Sequence, residues 1–210
     1  MIKKNLKLLI ITSIVILLPI LAGVILWNQL PDPMPSHWNA AGEVDGWSSK
    51  PFAVFGLPLI LLAAQWLCML GTAADPKKNN HPEKIMHLVL WIIPVLSVVM
   101  HTFTYAAAMG KEVPMETVMP VLVGVIFTII GNYMPKCKQN YTIGIKIPWT
   151  LDNEENWNKT HRFAGFLWTA CGILIMLTCF IGGFWVFLPI TFLMVLAPII
   201  YSYILHKKGL

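Results

Sequence analysis

Residues 163–205 read FAGFLWTACGILIMLTCFIGGFWVFLPITFLMVLAPIIYSYIL, a run without a single charged side chain. A helix needs about 20 apolar residues to cross a bilayer, so this run has the length of two crossings. Gly182 and Gly183 stand near its middle, and a glycine pair is typical of a tight turn. The run therefore predicts a helical hairpin in the membrane, with its turn at Gly182-Gly183.

Four further apolar stretches precede this hairpin, at about 6–27, 52–71, 85–109 and 117–134. Each has the length of one crossing, and the first is expected to be an uncleaved span because it is too long for a signal peptide. In lipid the backbone must satisfy its own hydrogen bonds, so each stretch is predicted to be a helix. The predicted fold class is all-α, a polytopic membrane bundle of six transmembrane helices.

Composition supports this class. Hydrophobic residues make up 57% of the 210 residues and charged residues 12%, against about 25% charged in an average soluble domain. A chain of this size cannot bury so much apolar surface in one water-facing globule, which excludes a soluble enzyme. The net charge of +5 lies in short basic groups between apolar runs, so it does not indicate binding to nucleic acid.

The distribution of basic residues predicts the orientation. If both termini are cytoplasmic, 13 of the 15 lysines and arginines fall on the inner side, and only Lys50 and Lys111 fall outside. Short cytoplasmic loops carry such an excess of basic residues. The thirteen inner residues are Lys3, Lys4, Lys7, Lys77, Lys78, Lys84, Lys136, Lys138, Lys146, Lys159, Arg162, Lys207 and Lys208.

We divide the chain into three parts. They are an N-terminal helix pair at 1–71 with an extracytoplasmic loop at 31–51, a middle helix pair at 72–134, and a cytoplasmic loop with the C-terminal hairpin at 135–210. Small residues in the spans are expected to let helices approach closely. These glycines are Gly23, Gly124, Gly131, Gly165 and Gly172.

The 31–51 loop is too rich in prolines, aromatic and polar residues for a simple connection. Prolines make its start extended or turned, and Gly42 and Gly46 favour tight turns. We expect an ordered cap that binds a ligand, through residues His37, Trp38, Asn39, Glu43, Asp45 and Trp47. A metal site of His37 with Glu43 or Asp45 is a weak alternative, and no metal or cofactor is predicted.

The 135–162 loop carries a helix start. Asp152, with Glu155 three residues on, has the spacing of a capping box and predicts a helix over 152–162 that runs into the fifth span. Glu154, Trp157 and His161 share one face of that helix. The pair Glu154 and His161 could be a general base with its orienting group. We favour a satisfied polar surface that docks the loop under the bundle.

Polar residues inside the spans are few. No Asp, Glu, Lys or Arg lies near the middle of a predicted span, which argues against a proton-coupled pump. His101 lies four residues from both Ser97 and Tyr105, and is expected to be a hydrogen-bonded core histidine rather than a proton relay.

Three stretches together resemble a known family. They are Gly131-Asn132 to Asn140, Gly144 to Leu151, and Glu154 to Arg162, in which the pieces Pro148-Trp149-Thr150 and Thr160-His161-Arg162 are the most specific. They resemble the SdpI family of bacterial integral membrane proteins. The stretch from Pro33 to Pro51 is similar to the N-terminal domain found in the same family, so the resemblance covers nearly the whole chain.

The resemblance implies an immunity protein of the bacterial cell membrane that gives resistance to a secreted, SdpC-like peptide toxin on the outer side. It also implies a toxin-sensing receptor that captures a cytoplasmic repressor, without contacting nucleic acid itself. The expected partners are membrane lipid, the toxin and the repressor. The motif residues expected to bind a partner are Asn132, Pro135, Lys138, Asn140, Gly144, Pro148, Trp149, Thr150, Glu154, Trp157, His161 and Arg162.

Three other classes stay open at this point. They are a membrane-embedded enzyme, with Glu154, His161 and Arg162 as its candidate residues, a small transporter, and a structural subunit of a larger assembly.

Overall fold

A computed structural model describes residues 1–178, 180 and 184–210. The turn predicted at Gly182-Gly183 lies outside these residues. The helices are α1 (Ile2–Ile25), α2 (Leu57–Ala74, preceded by a π-helical turn Phe52–Gly56), α3 (Glu83–Ala108), α4 (Met115–Tyr133), the short α5 (Pro148–Asp152), α6 (Glu154–Thr178) and α7 (Phe184–Lys207).

Within the described residues, six helices are long and apolar enough to cross a membrane. They are Ile2–Ile25, Phe52–Ala74, Glu83–Ala108, Met115–Lys136, Glu154–Thr178 and Val186–Lys207. The six predicted spans are therefore confirmed. The fifth is longer than its apolar run, because α6 continues without a break from the polar loop, as expected.

The prediction of an all-α fold is wrong at the 31–51 loop, which forms an antiparallel hairpin of strands β1 (Met34–Trp38) and β2 (Val44–Ser48). Pro35 lies opposite Trp47, and Trp38 lies opposite Val44. Gly42, in the connecting turn, has a φ of +80°, which a residue without a Cβ adopts at little cost. The remaining polar loops are largely irregular.

The predicted cap at Asp152 is also wrong. Asp152 is the last residue of α5, and Asn153 precedes α6 instead. The Asn153 side-chain oxygen accepts the Asn156 N–H at 2.9 Å, which is the bond an N-cap residue makes. The structure has a separate short helix, α5, directly before α6, so the N-cap of α6 lies one residue later than predicted.

The chain divides into two compact units. The first comprises Met1–Ala73 and Met86–Met115, and the second comprises Ala74–Ile85 and Glu116–Leu210. In the first unit, a core of buried side chains lies beside the hairpin: Leu30, Met34, Ala53, Val54 and Tyr105. The Tyr105 hydroxyl donates to the Pro19 carbonyl at 3.0 Å, and His101 Nδ1 donates to the Ser97 carbonyl at 2.7 Å, so His101 is the hydrogen-bonded core residue that was expected.

Glycines bring α4 and α6 together in the second unit. A Cβ added to Gly131 would lie 2.5 Å from the backbone nitrogen of Thr169 and 2.8 Å from the carbonyl oxygen of Gly165. Gly124 and Gly172 face each other in the same way, with the Gly172 carbonyl oxygen 2.6 Å from a Cβ placed on Gly124. The close approach predicted for these glycines is confirmed.

Candidate functional site

The 31–51 loop is held in shape by its own polar side chains. His37 Nδ1 and Asp45 Oδ1 lie 2.5 Å apart across the hairpin. The Asn39 side-chain oxygen accepts the N–H groups of Ala41 and Glu43 at 2.9 and 3.0 Å, and its amide nitrogen donates to the Glu43 carboxylate at 3.0 Å. The structure therefore brings four of the predicted ligand-binding residues together in two pairs.

Along β2, exposure alternates from residue to residue. Asp45 and Trp47 on β2 are exposed, as is Glu43 just before the strand, whereas Val44 is partly covered. Trp47 has 58% of its surface exposed, so its ring is available for contact. Trp38 is partly buried, so the two tryptophans of the predicted surface are not equivalent.

Lys50 fixes the hairpin to the turn that follows α1. Its Nζ donates to the carbonyl oxygens of Leu30 and Trp27 at 3.0 and 3.3 Å, and lies 4.9 Å from the centre of the Trp27 ring. Its backbone N–H donates to Asp32 at 3.1 Å. The ammonium group of Lys50 is thus directed at the carbonyl oxygens of this turn and at the Trp27 ring.

His161 is the central residue of the 135–162 loop. Its Nδ1 lies 2.8 Å from the Trp157 carbonyl, and its Nε2 accepts the Ile145 N–H at 3.0 Å. Because a carbonyl only accepts and an N–H only donates, the ring is neutral with its proton on Nδ1. It is 1% exposed and stacks on the Trp157 ring at 4.0 Å.

This geometry leaves no free nitrogen on His161 for acid–base chemistry. Both ring nitrogens bond backbone groups, and Glu154 is exposed on the surface of α6. The alternative of Glu154 and His161 as a general base with its orienter has no contact to support it among the described residues.

Gly144 explains how the loop reaches the histidine. Its φ of +116° is a conformation that glycine adopts readily and residues with a Cβ rarely adopt. A Cβ at this position would also lie only 2.5 Å from His161 Nε2. Trp157 holds the other side of the loop, since its indole N–H donates to the Cys137 carbonyl at 2.7 Å. The loop is therefore pinned to α6 at two points.

Asn140 and Thr150 order the loop from inside. The Asn140 amide donates to the carbonyls of Lys138 and Ile143, and its oxygen accepts the N–H groups of Thr142 and Ile143. The Thr150 hydroxyl lies 2.7 Å from the Ile145 carbonyl. Both side chains are fully buried, so they shape the loop rather than present a surface.

Cys137 is buried beside Asn140. Burial raises the pKa of its thiol to about 11, although the hydrogen bond from Asn140 acts in the opposite direction. The thiol donates to the Ile143 carbonyl at 3.3 Å. Cys137 is thus protonated at neutral pH.

Aromatic and proline residues of the motif pack on neighbouring helices. Trp149 lies with its ring centre 5.1 Å from that of Tyr203 and 6.0 Å from that of His206, both on α7. Pro148 begins α5, and Pro135 packs against Gly165. Four other predicted residues are exposed and are not part of the buried cluster: Asn132, Lys138, Glu154 and Arg162.

Asp75 was missed by the sequence analysis and lies at the centre of a second cluster. Its Oδ2 accepts the Tyr141 N–H at 2.9 Å, the Thr142 hydroxyl at 2.9 Å and lies 3.3 Å from His81 Nε2, while its Oδ1 accepts the Lys77 N–H at 2.7 Å. Burial by itself would raise the pKa of the Asp75 carboxyl, but these hydrogen bonds outweigh it and leave the pKa below its ordinary value.

Gln139 extends the same cluster. Its amide donates to the carbonyls of Thr150 and Leu151 at 2.8 and 3.0 Å, and its side-chain oxygen accepts from Lys77 Nζ. Asn80 donates to the Gln139 carbonyl at 2.8 Å. The segment before α3 is therefore bonded directly to the 135–162 loop, within the second unit.

Comparison with known proteins gives the family. Residues 136–202 match the SdpI/YfhL protein family, and residues 14–62 match a domain of unknown function, DUF1648. Over 209 residues the chain is 30% identical to the immunity protein SdpI of Bacillus subtilis (strain 168), which covers 98% of this chain and 97% of that protein. This chain belongs to the SdpI family. No solved structure matches it.

Membership of the SdpI family and the six apolar helices make the chain a multi-pass protein of the bacterial cell membrane. The family match begins at Lys136 and so includes the loop that His161 and Trp157 hold in place. Among the described residues, no group of three or more His, Cys, Asp or Glu could hold a metal ion.

Proposed function

We propose that this chain is an immunity protein that protects the cell from a secreted peptide toxin. One observation carries the proposal, namely the similarity to a protein named as an immunity protein along almost the full length of both chains. Two ordered loops at the ends of the helices, rather than a reactive centre within the membrane, are the surfaces on which such a protein would act.

The orientation belongs to the proposal. With both termini in the cytoplasm, the 31–51 loop faces the outside and the 135–162 loop faces the cytoplasm, and the excess of basic residues on the inner side supports this orientation. Single cysteines at Ser36 and at Lys138, in a chain without its native cysteines, test this with an impermeant maleimide on intact cells. Labelling of Ser36→Cys alone supports the orientation, and labelling of Lys138→Cys alone contradicts it.

The toxin would meet the exposed face of β2. Trp47 offers an aromatic anchor, and Glu43 and Asp45 can pair with basic groups or backbone donors of a peptide. Because His37, Asn39 and Lys50 already fix the hairpin, binding costs little ordering of the loop. Trp38 is a weaker candidate because it is partly buried.

The test is survival of a sensitive strain that expresses the chain and is challenged with the toxin encoded nearest to its gene. Trp47→Ala and the pair Glu43→Gln with Asp45→Asn should reduce protection at unchanged protein level. Trp91→Ala, which removes another partly exposed tryptophan on α3, is the matched control and should protect normally. Full protection by both hairpin variants would contradict toxin binding by the hairpin. If the wild-type chain protects against no candidate toxin, the immunity function itself is contradicted.

Sensing and repressor capture form a second step of the proposal. A toxin shifts a receptor only if it binds one of two conformations better than the other. The exposed basic residues Lys138, Lys146 and Arg162 on the 135–162 loop would then bind an acidic surface of a cytoplasmic repressor. Lys138→Glu with Arg162→Glu should abolish toxin-induced expression of a reporter and leave protection intact. Induction that survives both changes would contradict capture through this loop.

We assign no catalytic step to Glu154, His161 or Arg162. The two backbone bonds of the His161 ring support a structural role, and turnover of a lipid or peptide by the purified chain would contradict it. Substrate flux in proteoliposomes would favour a transporter instead.

A further inference from the structure

Two of the motif residues expected to bind a partner, Asn132 and Arg162, lie outside the buried cluster of the 135–162 loop. Both side chains are exposed, and neither forms a hydrogen bond or an ion pair with another described residue. Lys136 is exposed as well, with its Nζ 4.6 Å from the centre of the Tyr133 ring. Shaping of the loop therefore does not account for these three polar side chains.

The glycines between α4 and α6 fix the geometry of this region, within the second unit. Gly131 meets Gly165, and Gly124, which comes earlier on α4, meets Gly172, which comes later on α6. The two helices are therefore antiparallel. A Cβ on any of these glycines would lie within 2.8 Å of the backbone of the other helix, so the helices touch along this line.

The residue after each contact glycine is exposed. These residues are Val125 and Asn132 on α4, and Phe166 and Ile173 on α6. Successive residues of an α-helix are turned by about 100° around its axis. Because the two helices are antiparallel, a step of one residue from the contact line leads to the same side on both. The four exposed residues therefore border one groove that follows the α4–α6 contact.

The polar end of this groove carries the basic residues. Pro135 packs against Gly165, and Lys136 follows it on the same flank as Asn132. Arg162 precedes Phe166 by one helical turn, on the side of the 135–162 loop. The guanidinium group, the ammonium group and the Asn132 amide are thus gathered at one end of the groove.

The other part of the groove is apolar and lies within two of the membrane-spanning helices. Phe166 is 77% exposed, and Ile129, one turn before Asn132, is 39% exposed. Acidic side chains are distant, since residues 131–151 include none, and those of α6 are Glu154 and Glu155, about two turns before Arg162. Glu155 pairs with Lys159 at 2.8 Å. Two cations and an amide above an apolar surface are complementary to a phosphate above acyl chains.

We propose that this groove binds an anionic phospholipid, with the phosphate held by Arg162, Lys136 and Asn132 and an acyl chain along Phe166. A guanidinium group suits the phosphate because it can donate two parallel hydrogen bonds. The lipid site is independent of the immunity function. Arg162 also belongs to the surface proposed for a repressor, so capture there would displace the lipid, and the purified chain by itself tests the lipid site.

The purified chain in a non-ionic detergent is titrated with dioleoyl phosphatidylglycerol or dioleoyl phosphatidylcholine, and native mass spectrometry counts the retained lipid. The wild type should prefer phosphatidylglycerol. Lys136→Gln with Arg162→Gln should weaken its binding about tenfold or more, since each basic residue contributes separately to the attraction. Lys207→Gln with Lys208→Gln is the matched control, because Lys207 Nζ likewise lies 5.5 Å from the Tyr203 ring at a helix end. The control should keep the preference.

An equal loss of binding in both double variants would overturn the proposal, because the lipid would then respond only to net charge. A wild-type chain without a preference for phosphatidylglycerol would overturn it as well. Phe166→Ser tests the apolar part of the groove and should weaken phosphatidylglycerol binding, although the exposed ring contributes little to the fold. Unchanged binding by this variant would mean that the groove holds a free anion rather than a lipid, which contradicts the proposal.

Discussion

The imidazole of His161 accepts the backbone N–H of Ile145 at 3.0 Å, sixteen residues earlier in the chain. This bond ties the 135–162 loop to the first turns of α6, and stacking on Trp157 at 4.0 Å holds the ring in place. A histidine that sequence reasoning allows as a catalytic base is here an acceptor for the backbone. Both of its ring nitrogens hold the backbone of the loop in place.

We therefore expect His161→Ala to destabilise the chain. The change leaves the partly buried Ile145 N–H without its acceptor, which costs about 1–3 kcal/mol. Each kcal/mol lowers the melting temperature by roughly 2–4 °C in a chain of this size. Glu154→Gln, on the exposed side of the same helix, should change nothing. Thermal unfolding in detergent measures both. A folded His161→Ala with an unchanged melting temperature would contradict the structural role.

Asp75→Asn should loosen the segment before α3 from the 135–162 loop. Asp75 Oδ2 accepts from the Tyr141 N–H and the Thr142 hydroxyl, and an amide nitrogen placed there would face donors. We expect a loss of about 1–3 kcal/mol of stability for the stranded groups. Hydrogen exchange at Tyr141 should speed up in the variant, while exchange in α1, in the other unit, should not.

The same carboxylate predicts a dependence on pH. Because the pKa of Asp75 is lower in the folded chain than in the unfolded one, its contribution to stability is complete above the unfolded value, about 4. It is lost as pH falls from there through the lowered folded value. The stability gap between wild type and Asp75→Asn should narrow as the pH falls below about 4. A gap that widens as the pH falls below 4 would contradict the assignment.

The α4–α6 contact gives a prediction with a built-in control. A Cβ at Gly131 would lie 2.5 Å from the Thr169 nitrogen, a backbone atom that cannot move aside, so Gly131→Ala should cost about 1–3 kcal/mol. Gly71, on α2, has nothing within 4 Å of such a Cβ, and alanine is the better helix former there. Gly71→Ala should leave the melting temperature unchanged or raise it. Equal effects of the two changes would contradict the close packing.

Features of the fold could be predicted from the sequence when they depend on one segment, and could not when they depend on residues that are far apart along the chain. The six spans follow from long apolar runs, and close helix approach follows from the glycines within them, although the sequence did not indicate that α4 would pair with α6. Both are properties that a single segment displays by itself. The helix start was off by one residue, since Asp152 and Asn153 are both good caps and only the end of α5 at Asp152 decides between them.

The clusters that shape the loops could not be predicted in the same way. Asp75 meets Tyr141 across 66 residues, and nothing in the local sequence around Asp75 indicates its partner. The hairpin was missed for a different reason. Its strands have five residues each, include Pro35, and are short of the apolar alternation that marks a strand, so the side-chain bonds of His37 and Asn39 stabilise it instead.

Cys137 should report whether the 135–162 loop is closed. With a pKa of about 11 and 5% exposure, its thiol is about one part in a thousand thiolate at pH 8, and only the thiolate is alkylated. In a chain with Cys68, Cys171 and Cys179 replaced by alanine, iodoacetamide at pH 8 should react more than about a hundredfold more slowly than with a free cysteine. Lys138→Cys in a Cys137→Ala background supplies the exposed neighbour for comparison.

Trp157→Phe should make the Cys137 thiol more accessible. The change keeps an aromatic ring against His161 but removes the indole N–H that donates to the Cys137 carbonyl at 2.7 Å, so the thiol loses one of the bonds that hold its segment against α6. We expect alkylation of Cys137 to accelerate at least tenfold, and the rate at Lys138→Cys to stay the same because that position is already exposed. Rapid alkylation of Cys137 in the wild-type loop would mean that the loop is open. It would contradict a loop held closed by the hydrogen bonds of Trp157 and His161.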